Sequence, residues 1–275
     1  FIGIAVAGAL ALGGGFIAAT QLGGAKAERA KLDQALAVEG DPVAPPDCMT
    51  RDKATLAALA KAVALLHGGG ASAARPEDEQ ALALIEEHAP KSPDKKEAAE
   101  YFALLARARL AAGRPPDKVL EVAERATLLC PDYAYAFNLA GNAAQRAGKN
   151  KDAADRYERA LQLAAGYGAP RFNLGLLSLR AGDTNAAVAA FAEVVKRNPE
   201  HPNIFLVLGQ AEMTAGKMAD AAAHLEEAAR RKPDKAEVWV FLGKARQAAG
   251  MANAMEAFCK AKALGNAEGM KFCDR

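Results

Sequence analysis

Four glycines, Gly141, Gly175, Gly209 and Gly243, follow one another at a constant spacing of 34 residues, each in a similar context. A fixed period of about 34 residues is typical of paired helices that stack into a solenoid, because each pair buries its apolar face only against its neighbours. The spacing therefore predicts an all-α repeat protein. Such an architecture presents surfaces to other proteins more often than it builds an active site.

The residues around these glycines resemble the tetratricopeptide repeat. That family has a large residue at repeat position 4, a small pair at 7 and 8, Ala at 20, an aromatic residue at 24, Ala at 27 and Pro at 32. The matching residues, unit by unit, are Phe137, Ala140, Gly141, Ala153, Tyr157 and Ala160; Leu174, Gly175, Ala187, Phe191 and Pro199; Phe205, Leu208, Gly209, Ala221, Leu225, Ala228 and Pro233; and Trp239, Leu242, Gly243, Ala254, Phe258 and Ala261. The last unit matches if its internal turn is one residue short. The resemblance covers about residues 95–264 and implies a right-handed superhelical solenoid of helix pairs.

Upstream of Ala134 the pattern is weaker. A further unit fits if one residue is inserted at Pro115-Pro116, with the matches Phe102, Leu105, Ala106, Gly113, Ala126 and Pro131. Residues 52–67 and 76–89 have the periodicity of one more helix pair. We therefore expect a degenerate helical hairpin at 51–93, the solenoid at 94–265 and a C-terminal tail at 266–275.

The first 24 residues contain no charged side chain. At about 1.5 Å per residue, a helix of this length spans roughly 35 Å, enough to cross a hydrocarbon core of about 30 Å. Small residues recur at every fourth position, namely Gly3, Ala7, Ala11, Gly15, Ala19 and Gly23. A ridge of small residues lets apolar helices approach closely. The pattern predicts one long helix over residues 1–38 that inserts into a membrane or associates with copies of itself.

This leading segment resembles the N-terminal helix of mature type IV pilins, which begins at a phenylalanine once a leader has been removed. Phe1 and the uncharged helix match that family, whereas Ala5 stands where most bacterial pilins carry a glutamate. The resemblance implies a subunit that packs its helix into a filament core. Residues 39–50 contain three prolines and are predicted to form a stiff linker between this helix and the repeats.

The chain has four cysteines, which allow three pairings of two disulfides. Cys259 and Cys273 are near in sequence and are a candidate pair that would clip the C-terminal end. A disulfide would imply an oxidising compartment. Four unpaired thiols in the core are the other interpretation of the same pattern.

Composition argues against two classes of function. A formal net charge of +2, from 35 basic and 33 acidic residues, provides no concentrated basic face for nucleic acid. The four histidines, His67, His88, His201 and His224, have no neighbours that suggest a nucleophile or a metal ligand set. We therefore expect no catalytic, cofactor-binding or metal site, and the protein is predicted not to be an enzyme.

If the repeats bind a ligand, the site should lie on the wall formed by the first helix of each pair. Repeat positions 2, 5, 9 and 12 there give the candidates Tyr135, Asn138, Asn142, Gln145, Phe172, Leu176, Leu179, Asn203, Leu206, Gln210 and Met213, with Lys244 beyond them. Chaperone-binding members of the family hold a terminal carboxylate with asparagines and cations. Asn142 and Asn173 match those asparagines, but Asn138, Asn203 and Val207 replace the cations, so that role is rejected.

Two interpretations remain open. In the first, the chain is a pilin-like subunit that self-assembles through its apolar helix into an extracellular filament at the cell surface and meets a membrane before assembly. In the second, the helix is a single-pass anchor in the inner membrane, and the periplasmic repeats recruit a partner protein or peptide. Phe1 favours the filament, whereas the missing glutamate favours the adaptor.

Overall fold

The computed structural model describes residues 24–37, 40–66, 74–200 and 203–274, and within them the regular secondary structure is helical, without strands. The chain divides into two compact units, one ending at Tyr167 and the other beginning at Gly168. We refer to them as unit 1 and unit 2. The predicted single helix over residues 1–38 lies mostly outside the described residues, which contain only its end.

Unit 1 contains a helix α1 over residues 24–37, followed by three helix pairs. The pairs are α2 and α3 (Lys53–Leu66 and Pro76–Glu87), α4 and α5 (Ala99–Ala111 and Pro116–Leu129), and α6 and α7 (Ala134–Arg146 and Asn150–Leu163). Short 3-10 turns occur at Pro46–Cys48 and Lys96–Ala98.

Unit 2 contains three more pairs and a final short helix. The pairs are α8 and α9 (Gly168–Arg180 and Thr184–Arg197), α10 and α11 (Ile204–Thr214 and Met218–Arg231), and α12 and α13 (Ala236–Ala248 and Ala254–Ala263). Helix α14, Ala267–Cys273, packs on α13 at the position where the tail is predicted.

The glycine period has a direct steric cause. A Cβ atom added at Gly141 of α6 would lie 2.5 Å from the Tyr157 ring of α7. The same close approach recurs in unit 2, where added Cβ atoms would lie 2.6 to 2.7 Å from the side chains in the pairs Gly175–Phe191, Gly209–Leu225 and Gly243–Phe258. Each glycine therefore lets a large residue of the second helix lie against the backbone of the first.

We expect Gly141→Ala to destabilise unit 1 by up to about 2 kcal/mol, because the added methyl group must displace the Tyr157 ring at a cost of about 1–3 kcal/mol. The gain of about 1 kcal/mol that alanine gives in a helix offsets part of this cost. Chemical denaturation followed by circular dichroism measures the change. Gly166→Ala is the matched control, since an added Cβ meets nothing within 4 Å there. Equal stability of the two variants would contradict the steric explanation.

A second glycine series ends the first helix of the last four pairs, α6, α8, α10 and α12. Gly148, Gly182, Gly216 and Gly250 have φ angles of 76°, 81°, 76° and 71°, in the left-handed region that glycine adopts without strain. After α6, for example, the Gly148 N–H donates to the Gln145 carbonyl at 3.0 Å and the Lys149 N–H to the Ala144 carbonyl at 2.9 Å. These bonds reverse the chain into α7.

Candidate functional site

The structure buries part of the wall that the sequence predicts to be a groove. Tyr135 and Asn138 of α6 are only 2% and 4% exposed. Asn142 and Gln145 are half-buried, and their amide oxygens lie 2.9 and 3.2 Å from the Tyr157 hydroxyl. In unit 1 these four residues are therefore held by internal contacts, and the prediction of a solvent-lined groove is corrected for Tyr135 and Asn138.

Asp41 reaches the same face from outside the repeats. The Tyr167 hydroxyl donates to Asp41 Oδ1 at 2.6 Å, and Asn138 Nδ2 donates to the Tyr167 hydroxyl at 3.0 Å. Arg107 Nη1 of α4 lies 3.5 Å from Asp41 Oδ2 and donates to the Tyr135 hydroxyl at 3.1 Å. We call these five residues the Asp41 cluster. Burial raises the pKa of the Tyr167 hydroxyl well above its ordinary value, and the Asp41 charge raises it further, so the hydroxyl remains a donor.

A second buried ion pair also involves helix α4. Arg29 of α1 donates from Nη1 and Nη2 to the two carboxylate oxygens of Glu100 in α4, at 2.7 and 2.5 Å. The same carboxylate accepts the Thr50 N–H at 3.0 Å. Burial lowers the pKa of Arg29, but the hydrogen bonds and charge of Glu100 and Asp33 outweigh it, so that this pKa is raised. The pair anchors α1 and the end of residues 40–50 on α4.

Residues 40–50 are therefore packed against the repeats rather than extended as a free linker. Ala44, Cys48 and Thr50 are 1%, 5% and 6% exposed. A disulfide joins Cys48 to Cys130, the residue that follows α5. Prolines in this segment predict an extended backbone, and the structure contains one. They do not predict which surface of the repeats the segment packs against.

In unit 2 most of the candidate residues of the first helices lie on α8 and α10. Phe172, Leu176 and Leu179 of α8 and Leu206 and Met213 of α10 pack against the buried clusters and are only partly buried. The Phe172 ring lies 5.4 Å from that of Phe191. Asn173 and Gln210 are half-buried beside them.

Two candidates of unit 2 differ from the prediction. Asn203 precedes α10 with a left-handed backbone, φ 62°, and its amide oxygen accepts a hydrogen bond from Lys232. It therefore belongs to the turn and not to the wall. Lys244 of α12 lies 2.7 Å from Glu268 of α14, so its charge is paired with the C-terminal helix.

The C-terminal end is clipped by the disulfide Cys259–Cys273 between α13 and α14. The Phe258 and Phe272 rings stack with centroids 4.7 Å apart. Gly269 allows the close approach, since a Cβ there would lie 2.7 Å from that of Ala261. Helix α14 thus covers the last pair.

Unit 2 also contains a titratable pair between α10 and α11. His224 Nδ1 lies 2.8 Å from Oε2 of the buried Glu212, and the imidazole stacks on Phe205. The hydrogen bond to Glu212 raises the pKa of His224 above its ordinary value, although burial opposes this. Among the described residues, no group of three or more His, Cys, Asp or Glu side chains is arranged to hold a metal ion.

We expect the pair to make stability depend on pH. Because the folded pKa of His224 is raised, its contribution is fully present below about pH 6.5 and is lost as the pH rises through the folded value. His224→Gln should therefore destabilise unit 2 more at pH 6 than at pH 8.5, by up to about 1 kcal/mol. Urea denaturation at both pH values measures this. Glu212→Gln should remove the difference, and a penalty independent of pH would contradict the assignment.

The comparison with protein families decides what these helix pairs are. A sequence model described as the tetratricopeptide repeat matches residues 138–202, 172–236 and 206–263. Residues 138–263 are tetratricopeptide repeats. This part of the chain is accordingly a tetratricopeptide-repeat scaffold of the kind that mediates protein–protein interaction. No curated protein sequence matches the chain.

Several solved structures share this fold, and YrrB is described as a tetratricopeptide-repeat protein. One is pilF of Pseudomonas aeruginosa, 19% identical, covering 80% of this chain and 96% of that chain with a TM-score of 0.65. Another is PilW, described as a widely conserved type IV pilus biogenesis factor, 21% identical, covering 80% and 98% with a TM-score of 0.65. A third is YrrB, described as having an unusual peptide-binding site, 18% identical, covering 70% and 97% with a TM-score of 0.56.

These findings correct the predicted location. Over the part of the chain that the structure describes, no helix has both the length and the apolar character required to span a bilayer. One of the structures quoted above, PilW, is described as a factor for pilus biogenesis. The prediction of an extracellular, pilin-like filament at the cell surface is therefore wrong. The small-residue ridge and the alternative anchor in the inner membrane concern residues 1–23, which lie outside the described residues.

Proposed function

We propose that the chain is a non-enzymatic adaptor whose unit 2 binds an extended, largely apolar segment of a protein partner. The binding surface, which we call the unit 2 face, consists of Phe172, Leu176, Leu206, Gln210 and Met213. The observation that carries the proposal is the alignment of these partly buried side chains at equivalent positions of α8 and α10. A half-exposed apolar strip with one amide group suits an extended peptide, since apolar contacts supply affinity and the amide fixes orientation.

Three other observations agree with an adaptor. In unit 1 Asn138, which is equivalent to Phe172 and Leu206, is only 4% exposed, whereas those two residues are partly buried. YrrB is described as a peptide-binding protein and PilW as a biogenesis factor, and both share the fold. Two disulfides suit a protein that works in an oxidising environment.

Selection of displayed peptides of about 12 residues on the purified chain tests the proposal. Selected peptides should be rich in apolar residues, and Leu206→Glu and Met213→Glu should each weaken their binding at least about tenfold, since a charge must be desolvated in the contact. Leu128→Glu is the control, because Leu128 of α5 is 80% exposed and lies in unit 1. Circular dichroism verifies that each variant is folded. Peptides that lose affinity only for Leu128→Glu, or for none of the variants, would contradict the proposal.

A further inference from the structure

The first-helix wall of unit 1 is covered by the chain itself. Arg29 contacts Glu100 of α4, and Asp41 contacts Arg107 of α4 as well as Tyr167, whose hydroxyl is bonded to Asn138 of α6. In the repeat register, Glu100 occupies position 2 of its unit, and Asn138 occupies position 5 of the next. Position 5 is the one that Phe172 and Leu206 of the unit 2 face occupy. Asp41 thus lies over a position where a bound segment would lie.

The contact between Asp41 and the repeats is polar, as in a ligand-binding site, and is not made by apolar side chains. One carboxylate receives a hydroxyl donor at 2.6 Å and faces a guanidinium at 3.5 Å. The Asp41 and Arg107 side chains are only 8% and 12% exposed. A nearby carboxylate stabilises a buried guanidinium, and Asp41 supplies one from a segment 66 residues away in sequence. The donors belong to the repeats, whereas the acceptor belongs to the covering segment.

We propose that Arg107, Tyr167, Tyr135 and Asn138 form a carboxylate-binding site that Asp41 occupies in cis, and that an extended acidic segment of another protein binds there when Asp41 is absent. The site is made of other residues than the unit 2 face, so either proposal can be wrong while the other is correct. In the native chain Asp41 is tethered on one side by the Arg29–Glu100 pair and on the other by the Cys48–Cys130 disulfide. Tethering gives Asp41 a high effective concentration, so the site is closed to weak competitors.

The full chain with Asp41→Gly provides the test. This substitution removes a methylene and a carboxylate, which together match acetate. Sodium acetate should raise the melting temperature of Asp41→Gly in a saturable manner, whereas sodium chloride at equal ionic strength should not. Wild type should show no such difference. Asp47→Gly is the control, because Asp47 is an exposed carboxylate of the same segment. The double variant with Arg107→Gln should lose the response to acetate.

A fluorescent peptide with the sequence of residues 39–47 tests recognition in trans in a background where Cys48→Ala and Cys130→Ala release the covering segment, which would otherwise exclude the peptide. In that background it should bind Asp41→Gly at least about tenfold more tightly than it binds the parent or the double variant, because Asp41 no longer competes for the Arg107 guanidinium. A peptide with asparagine in place of its first aspartate should bind at least about tenfold more weakly. If Asp41→Gly does not fold, Asp41→Asn takes its place in both titrations. Absence of the acetate response, or equal binding of the two peptides, overturns the proposal.

Discussion

Replacing Glu100 by alanine is expected to destabilise unit 1 by about 3–5 kcal/mol, because the substitution leaves a buried cation without its main partner. The Glu100 side chain is fully buried and that of Arg29 is 17% exposed. The substitution also removes the acceptor of the Thr50 N–H. Asp33 remains 3.1 Å from Arg29 but is itself more exposed, so it compensates only in part.

Chemical denaturation of the full chain measures this loss, with Glu86→Ala as the control. Glu86 pairs with Arg109 at 2.9 Å, but its side chain is 46% exposed, so its loss should cost less than about 1 kcal/mol. Replacing both buried partners, by Arg29→Met and Glu100→Leu, should cost less than Glu100→Ala alone, since no unpaired charge remains. A cost for Glu100→Ala no larger than that for Glu86→Ala would contradict the buried pair.

Removal of the Cys48–Cys130 disulfide should produce the second large effect. The bridge spans a sequence separation of 82, and chain-entropy arguments assign about 4–5 kcal/mol to a loop of that size. The Cys259–Cys273 bridge spans only 14 residues and should contribute about 3 kcal/mol. We therefore expect the double alanine variant of the first bridge to lose more stability than that of the second.

Limited proteolysis distinguishes the two bridges by position. Without Cys48–Cys130, cleavage should appear within residues 40–50, which the disulfide holds against the repeats. Without Cys259–Cys273, new cleavage should be confined to α14 and its approach. Equal stability losses, or a segment 40–50 that stays resistant in the first variant, would show that the bridge does not hold this segment in place.

The repeat architecture could be predicted from the sequence because each unit repeats one steric requirement. A glycine beneath a large residue fixes where two helices cross. At Gly141, for example, the Tyr157 ring leaves no room for a Cβ atom. The one-residue shift predicted for the last unit is confirmed by Gly243, which lies against Phe258 in the same way, although residues 249–253 form a longer turn than residues 147–149. The turn glycines such as Gly148 provide an equally periodic signal, which the sequence interpretation did not use.

The covering of unit 1 could not be predicted in this way. Asp41 and Tyr167 are 126 residues apart and belong to no periodic pattern. A proline-rich segment with scattered charges has the composition of a linker, and only the tertiary contacts show that Ala44 and Cys48 are buried. Periodicity likewise places Tyr135 on an open wall, because it predicts which helix face a residue lies on but not what covers that face.

The most direct test of the adaptor account is a methyl NMR titration of the intact protein with a peptide selected for binding. The account predicts shifts for the methyl groups of Leu176, Leu206 and Met213, which belong to the unit 2 face. It predicts no shift for Leu128, which is exposed in unit 1, or for Leu139, which is buried in α6. Shifts confined to Leu128 and its surroundings, with the unit 2 face unchanged, would contradict it.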